Sequence, residues 1–128
     1  MIGTRRRTIL PLAAAIAAAA LLALGGGGAG AAAKATPKVV QVKDDLYTPV
    51  SVSLAKNGSV KWKWVNTIHT HNVRLTKAPA GVTKSNFYSQ NSASPTYTFT
   101  RKFTKVGKYH FICSIHPTKM QMDVNVHN

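Results

Sequence analysis

The chain has 128 residues, with 17 Lys and Arg against 3 acids, and a formal net charge of +14 at pH 7. The length predicts one domain, and the charge favours acidic partners or anionic surfaces. The lysines are scattered and no RNA-binding motif with interleaved aromatics occurs, so nucleic acid is not an expected partner.

The first segment predicts export. Arg5, Arg6 and Arg7 precede an apolar run from Ile9 to Leu24, and a Gly- and Ala-rich stretch with small-residue cleavage sites follows. That is the layout of a secretory signal peptide, assigned to residues 1–33. Arg6 and Arg7 also fit a loose twin-arginine pattern, so both Sec and twin-arginine routes stand. The run is shorter than the ~20 residues a spanning helix needs, so the mature form is not expected to span a membrane. The location expected is periplasmic, cell-surface or extracellular. Residues 34–128 then form the working domain, which is expected to be a monomer.

From Lys38 onward the apolar residues alternate in short runs separated by turn signals. "KVVQVKDDLYTP" predicts one or two strands ending at Pro49, and "VSVSLA" predicts a half-buried strand. Asn57-Gly58 marks a turn. In "VKWKWVN", Val60, Trp62 and Trp64 share one face, which reads as core. "HNVRL" predicts a further strand, and "TKAPAGVTKSNFYSQNSASP" a long surface connection. "TYTFTRKF", "YHFIC" and "MQMDVNVH" complete the set, the last with Met120, Met122, Val124 and Val126 on one face. No helical period appears after Lys34. About seven strands, or slightly more, predict an all-β antiparallel sandwich or barrel.

Cys113 is the only cysteine. Exported proteins usually pair their cysteines in disulfides, so a single one implies an intermolecular bond, a free thiol, or a thiol occupied by a metal. Alternation places Tyr109, Phe111 and Cys113 on the inward face of one strand, with His116 in the following loop and Met120 opening the next strand. Such a hairpin can gather a thiolate, an imidazole and a thioether. Two histidines, a cysteine and a weak axial methionine are the signature of a blue-copper electron-transfer site. His71 is a candidate for the second histidine, with His69 as rival. No paired carboxylates, phosphate loop, zinc-type CxxC pair or base-and-acid partner for Cys113 is visible, so an enzyme is not expected.

"HNV" at His71 to Val73, with "GKYHFICSIHPTKM" later, resembles the plastocyanin and amicyanin branch of the cupredoxins. "YTPVSVSLAKNGSVKWKWVN" is similar to the F-x-P…V-x-x-G-x-x-V-x-W-x-N segment of that family. The resemblance extends from about Lys38 to Val126. It implies a Greek-key cupredoxin sandwich holding one type 1 copper ion. It also implies His71, Cys113, His116 and Met120 as ligands, with Asn72 and Ser114 tying the ligand strands together behind them. His116 and Pro117 would form the electron-exit edge. Three residues separate His116 from Met120, where plastocyanins have four and amicyanins two. Met122 would leave five and stands as the alternative axial ligand. Met120 is preferred for its position relative to Val124. The function implied is an exported carrier shuttling single electrons, through Cu(I)/Cu(II), between redox proteins, and the Lys-rich composition suits a partner that presents an acidic docking surface. The alternative is a copper storage or delivery protein of the same fold.

Overall fold

The computed structural model describes residues 27, 28, 30 and 33–128. The proposed export segment, 1–33, lies outside the described residues except for those four positions. Eight strands form in chain order: β1 Lys38–Lys43, β2 Leu46–Thr48, β3 Ser51–Ala55, β4 Ser59–Trp64, β5 Arg74–Lys77, β6 Thr98–Lys102, β7 Gly107–Ile112 and β8 Gln121–His127. Among the described residues the one helical element is a 3-10 turn, Lys84–Phe87, within the long connection. No helix among them is long and apolar enough to cross a membrane.

The strands make two four-stranded sheets, ordered β2-β1-β4-β6 and β3-β8-β7-β5. Alternation dictates what each strand buries, because successive side chains point to opposite faces. Val60, Trp62 and Trp64 of β4 are fully buried, as are Phe111 of β7 and Val124 of β8. The two inner faces meet in an aromatic cluster in which Trp62 packs 5.0 Å from Phe111 and 5.6 Å from Phe99 between ring centroids. The turn expected at Asn57-Gly58 is present, with Asn57 in the left-handed region at φ 71°.

The sandwich is as expected, but its sheets are mixed. β1 runs parallel to β4 and β3 parallel to β8, while the remaining pairs are antiparallel. Between β2 and β7 the chain crosses repeatedly from layer to layer, so sheet neighbours such as β1 and β4 are not consecutive and no hairpin imposes their direction. "HNVRL" is strand only from Arg74. His71 instead forms an isolated bridge with Ser92, closed by two backbone bonds of 2.9 and 3.0 Å.

These pairings gather one end of the molecule. β5 and β7 pair Arg74 with Ile112, and β7 and β8 pair Ile112 with Gln121. The chain beyond those pairs carries His71, Cys113 and Met120 at that shared end. The Cys113 amide donates to the Met120 carbonyl at 3.0 Å, closing the loop that holds His116.

Candidate metal centre

His71, Cys113 and His116 form the one cluster of three or more His, Cys or acidic side chains with metal-holding geometry among the described residues. Their ligand atoms all lie within 4.8 Å of one another. Cys113 Sγ stands 4.0 Å from His71 Nδ1 and 3.9 Å from His116 Nδ1. Those separations are long for a hydrogen bond to sulfur, but they suit an ion between the atoms. Metal–nitrogen and metal–sulfur distances of about 2.0–2.1 and 2.3 Å at a trigonal angle span about 3.7–3.8 Å, close to these separations. The donor set of two imidazoles and a thiolate is soft to borderline and suits copper.

Each residue is held from its own element. His71 is fully buried and pinned by its bridge to Ser92, whose carbonyl also accepts the Trp64 indole N–H at 3.0 Å. Tyr47 of β2 donates its hydroxyl to the Asn72 carbonyl at 2.5 Å, and burial, followed by the nearby Cys113, holds that phenol far above its ordinary pKa. Cys113 directly follows β7 and is fully buried. His116 sits in a tight turn, with its amide donating to the Cys113 carbonyl at 3.2 Å and its carbonyl accepting from the Met120 amide at 2.9 Å. Its side chain is 27% exposed and Pro117 beside it is exposed.

Asn72 links the segment of His71 to that of Cys113. Its amide lies 3.5 Å from Cys113 Sγ and points its N–H at the sulfur. Its side-chain Nδ2 donates to Ser114 Oγ at 2.7 Å and to Asn91 Oδ1 at 2.8 Å, while Oδ1 accepts from the Ser114 amide at 2.9 Å. The two methionines differ. Met120 is fully buried, next to the loop. Met122 is also buried, but its sulfur accepts the Trp62 indole N–H at 3.2 Å. His69 is largely exposed, its ring 6.5 Å from and perpendicular to that of His71, and it lies outside the cluster.

Sequence reasoning passed over two residues. Asp44 Oδ1 is 3.0 Å from His71 Nε2, and Asp45 Oδ1 is 3.4 Å from His116 Nε2. The bond to His71, outweighing partial burial and joined by the amides of His69 and Ile68, pulls the Asp44 carboxyl down to about 2. The available signal was scarcity: in a chain with 3 acids, two stand side by side at a turn.

Residues 37–127 match the family described as copper binding proteins of the plastocyanin/azurin type. The chain belongs to this family. It is a cupredoxin, and its cofactor is a single type 1 copper ion.

Solved structures agree on the fold. A reduced Cu(I) form, at pH 4, of a point mutant of amicyanin matches with a TM-score of 0.61 at 20% identity, covering 73% of this chain and 84% of that one. A purple cupredoxin from Nitrosopumilus maritimus matches with 0.59 at 19% identity, covering 70% and 99%. A copper-containing nitrite reductase from Thermus scotoductus matches with 0.63 at 21% identity, covering 73% of this cupredoxin but 23% of the reductase chain. No curated protein matches the chain in sequence.

Proposed function

We propose that this cupredoxin is an exported electron carrier that passes single electrons between redox proteins. Residues 1–33 would direct export, by the charge and apolar pattern of a signal segment. His71, Cys113 and His116 would be the strong ligands and Met120 the weak axial one. The observation that carries the reading is the His71–Cys113–His116 cluster, with sulfur-to-nitrogen separations of 3.9 and 4.0 Å, inside a sandwich of a copper-binding family. Copper there supplies a one-electron Cu(I)/Cu(II) couple.

The chain's own residues keep the surroundings still while charge changes. Asn72 clamps Ser114 from both ends of its side chain, and its N–H points at the thiolate, withdrawing charge from sulfur. Met122, tied to the Trp62 indole, is committed elsewhere, which favours Met120 as the axial ligand. His116 reaches the surface beside the exposed Pro117 and Ile115 and would form the edge through which the electron leaves. Loss of Arg5, Arg6 and Arg7 with the export segment would take the net charge from +14 to +11 (14 − 3), which would still steer the protein to an acidic partner.

A carrier is favoured because His71, Cys113 and His116 form a donor set suited to a one-electron copper couple. The test adds Cu(II) to the purified chain and records the visible spectrum, then cycles the potential. An intense thiolate-to-copper band, lost in Cys113→Ser, and reversible voltammetry without copper release are expected. Electron transfer to an acidic redox protein should slow as salt rises. A colourless complex, or copper lost on reduction, would overturn the carrier reading.

A further inference from the structure

Two carboxylates stand behind the two imidazoles. Asp44 and Asp45 make the two-residue turn between β1 and β2, since Lys43 pairs directly with Leu46. Neighbouring side chains on a strand point to opposite faces. Asp45 breaks that alternation with a left-handed backbone at φ 61°, and both carboxylates reach the ligand end. The turn belongs to one sheet, whereas β7 and β8, which flank Cys113 and the His116 loop, belong to the other.

In each ring the nitrogen facing the carboxylate is Nε2 and the one facing Cys113 Sγ is Nδ1. Each imidazole is therefore held between the thiol and an acid. Asp44 is itself fixed, accepting from the amides of Ile68 and His69 at 3.1–3.2 Å. Asp45 Oδ2 lies 3.6 Å from Lys119 Nζ. Its Oδ1 is buried without a hydrogen bond and faces His116 Nε2 at 3.4 Å.

An imidazole ligates through a bare nitrogen, and the partner of the other nitrogen selects the tautomer. A carboxylate can only accept, so at Nε2 it selects the ring with its proton there and a free lone pair at Nδ1. We propose that the Asp44–Asp45 turn is a paired carboxylate clip, one acid per histidine, that presets both Nδ1 atoms for copper and biases the site toward Cu(II). Asp44 and Asp45 are positioning residues, acting through His71 and His116. Two negative groups near the ion favour its more highly charged state. The copper part of this inference rests on the ligand reading above; the tautomer part does not.

The test uses the full chain, labelled with 15N and free of copper, and reads the ring tautomers from two-bond 1H–15N correlations. The parent should show His71 and His116 as Nε2–H tautomers. Asp44→Ala should mix the tautomers of His71 alone, and Asp45→Ala those of His116 alone. Asp44→Asn, which can still accept through its carbonyl, should restore the His71 tautomer. With Cu(II), Asp44→Ala should bind 10–100-fold more weakly. Asp44→Asn should shift the Cu(II)/Cu(I) preference about tenfold toward Cu(I), a rise of about 59 mV for one electron. If Asp44→Ala does not fold, Asp44→Asn and the Asp45 variant carry the test. Parent-like tautomers and potentials in every folded variant would overturn the clip. A parent that gives no blue band would instead sink the copper reading, and the tautomer spectra would still decide the clip.

Discussion

Replacing Met122 with Leu exchanges a thioether for an aliphatic side chain of similar volume. The packing change should be modest, since volume-conserving core swaps usually cost under about 1.5 kcal/mol. The polar change is larger. The Trp62 indole N–H is fully buried and donates to Met122 Sδ at 3.2 Å. Leu leaves that donor without a partner, and an orphaned buried donor costs about 1–3 kcal/mol. Sulfur is a weak acceptor, which places the loss toward the lower end, so the sum is about 1–3 kcal/mol. For a domain of this size each kcal/mol lowers Tm by roughly 4–8 °C. Met120→Leu should behave in the opposite way. Its sulfur receives no hydrogen bond among the described residues, so the copper-free chain should keep its Tm within the small packing cost, while the colour and potential of the copper form change. Thermal unfolding of both copper-free variants, with spectra and voltammetry of their copper forms, separates the roles. A Met120→Leu site with unchanged potential, beside a Met122→Leu site with an altered one, would refute the reasoning and make Met122 the axial ligand.

Two other predictions concern the ligand strands and acid. Asn72→Ala removes both bonds to Ser114 and the bond to Asn91, so urea unfolding should show a loss of about 1–3 kcal/mol, and faster copper release should follow; unchanged stability would count against the clamp. Below pH 4 the copper-free chain should lose stability. For Asp123, burial raises the carboxyl, but the bonds from His110 and Lys108 outweigh it and the net shift is downward; for Asp44 the folded value is about 2 against an ordinary 3.8. A lowered folded pKa contributes stability above the unfolded value that is lost as pH falls through the folded one. Tm should therefore hold from pH 7 to about 5, drop between about 4 and 2, and drop less steeply in Asp123→Asn; an equal slope in that variant would refute the assignment.

Much of this protein is local in origin and was therefore legible in one dimension. The face shared by Val60, Trp62 and Trp64, and that shared by Tyr109, Phe111 and Cys113, follow from the two-residue period of a strand, which needs no knowledge of the partner. The spacing from Cys113 through His116 to Met120 is likewise contained in one loop, so its chemistry can be read where it stands. The tertiary structure decided what depends on distant residues meeting. The parallel pairs β1 with β4 and β3 with β8 join strands far apart in sequence, whose direction no hairpin fixes and no local pattern encodes. His71 leaves the strand expected for "HNVRL" because Ser92 captures its backbone. Met120 and Met122 share strand parity, and only the indole of Trp62, 60 residues away from Met122 in sequence, tells them apart. Asp44 and Asp45 lie in a stretch whose pattern reads only as one or two strands. Their approach to His71 and His116 comes from folding one sheet over the other, which a periodic pattern does not encode.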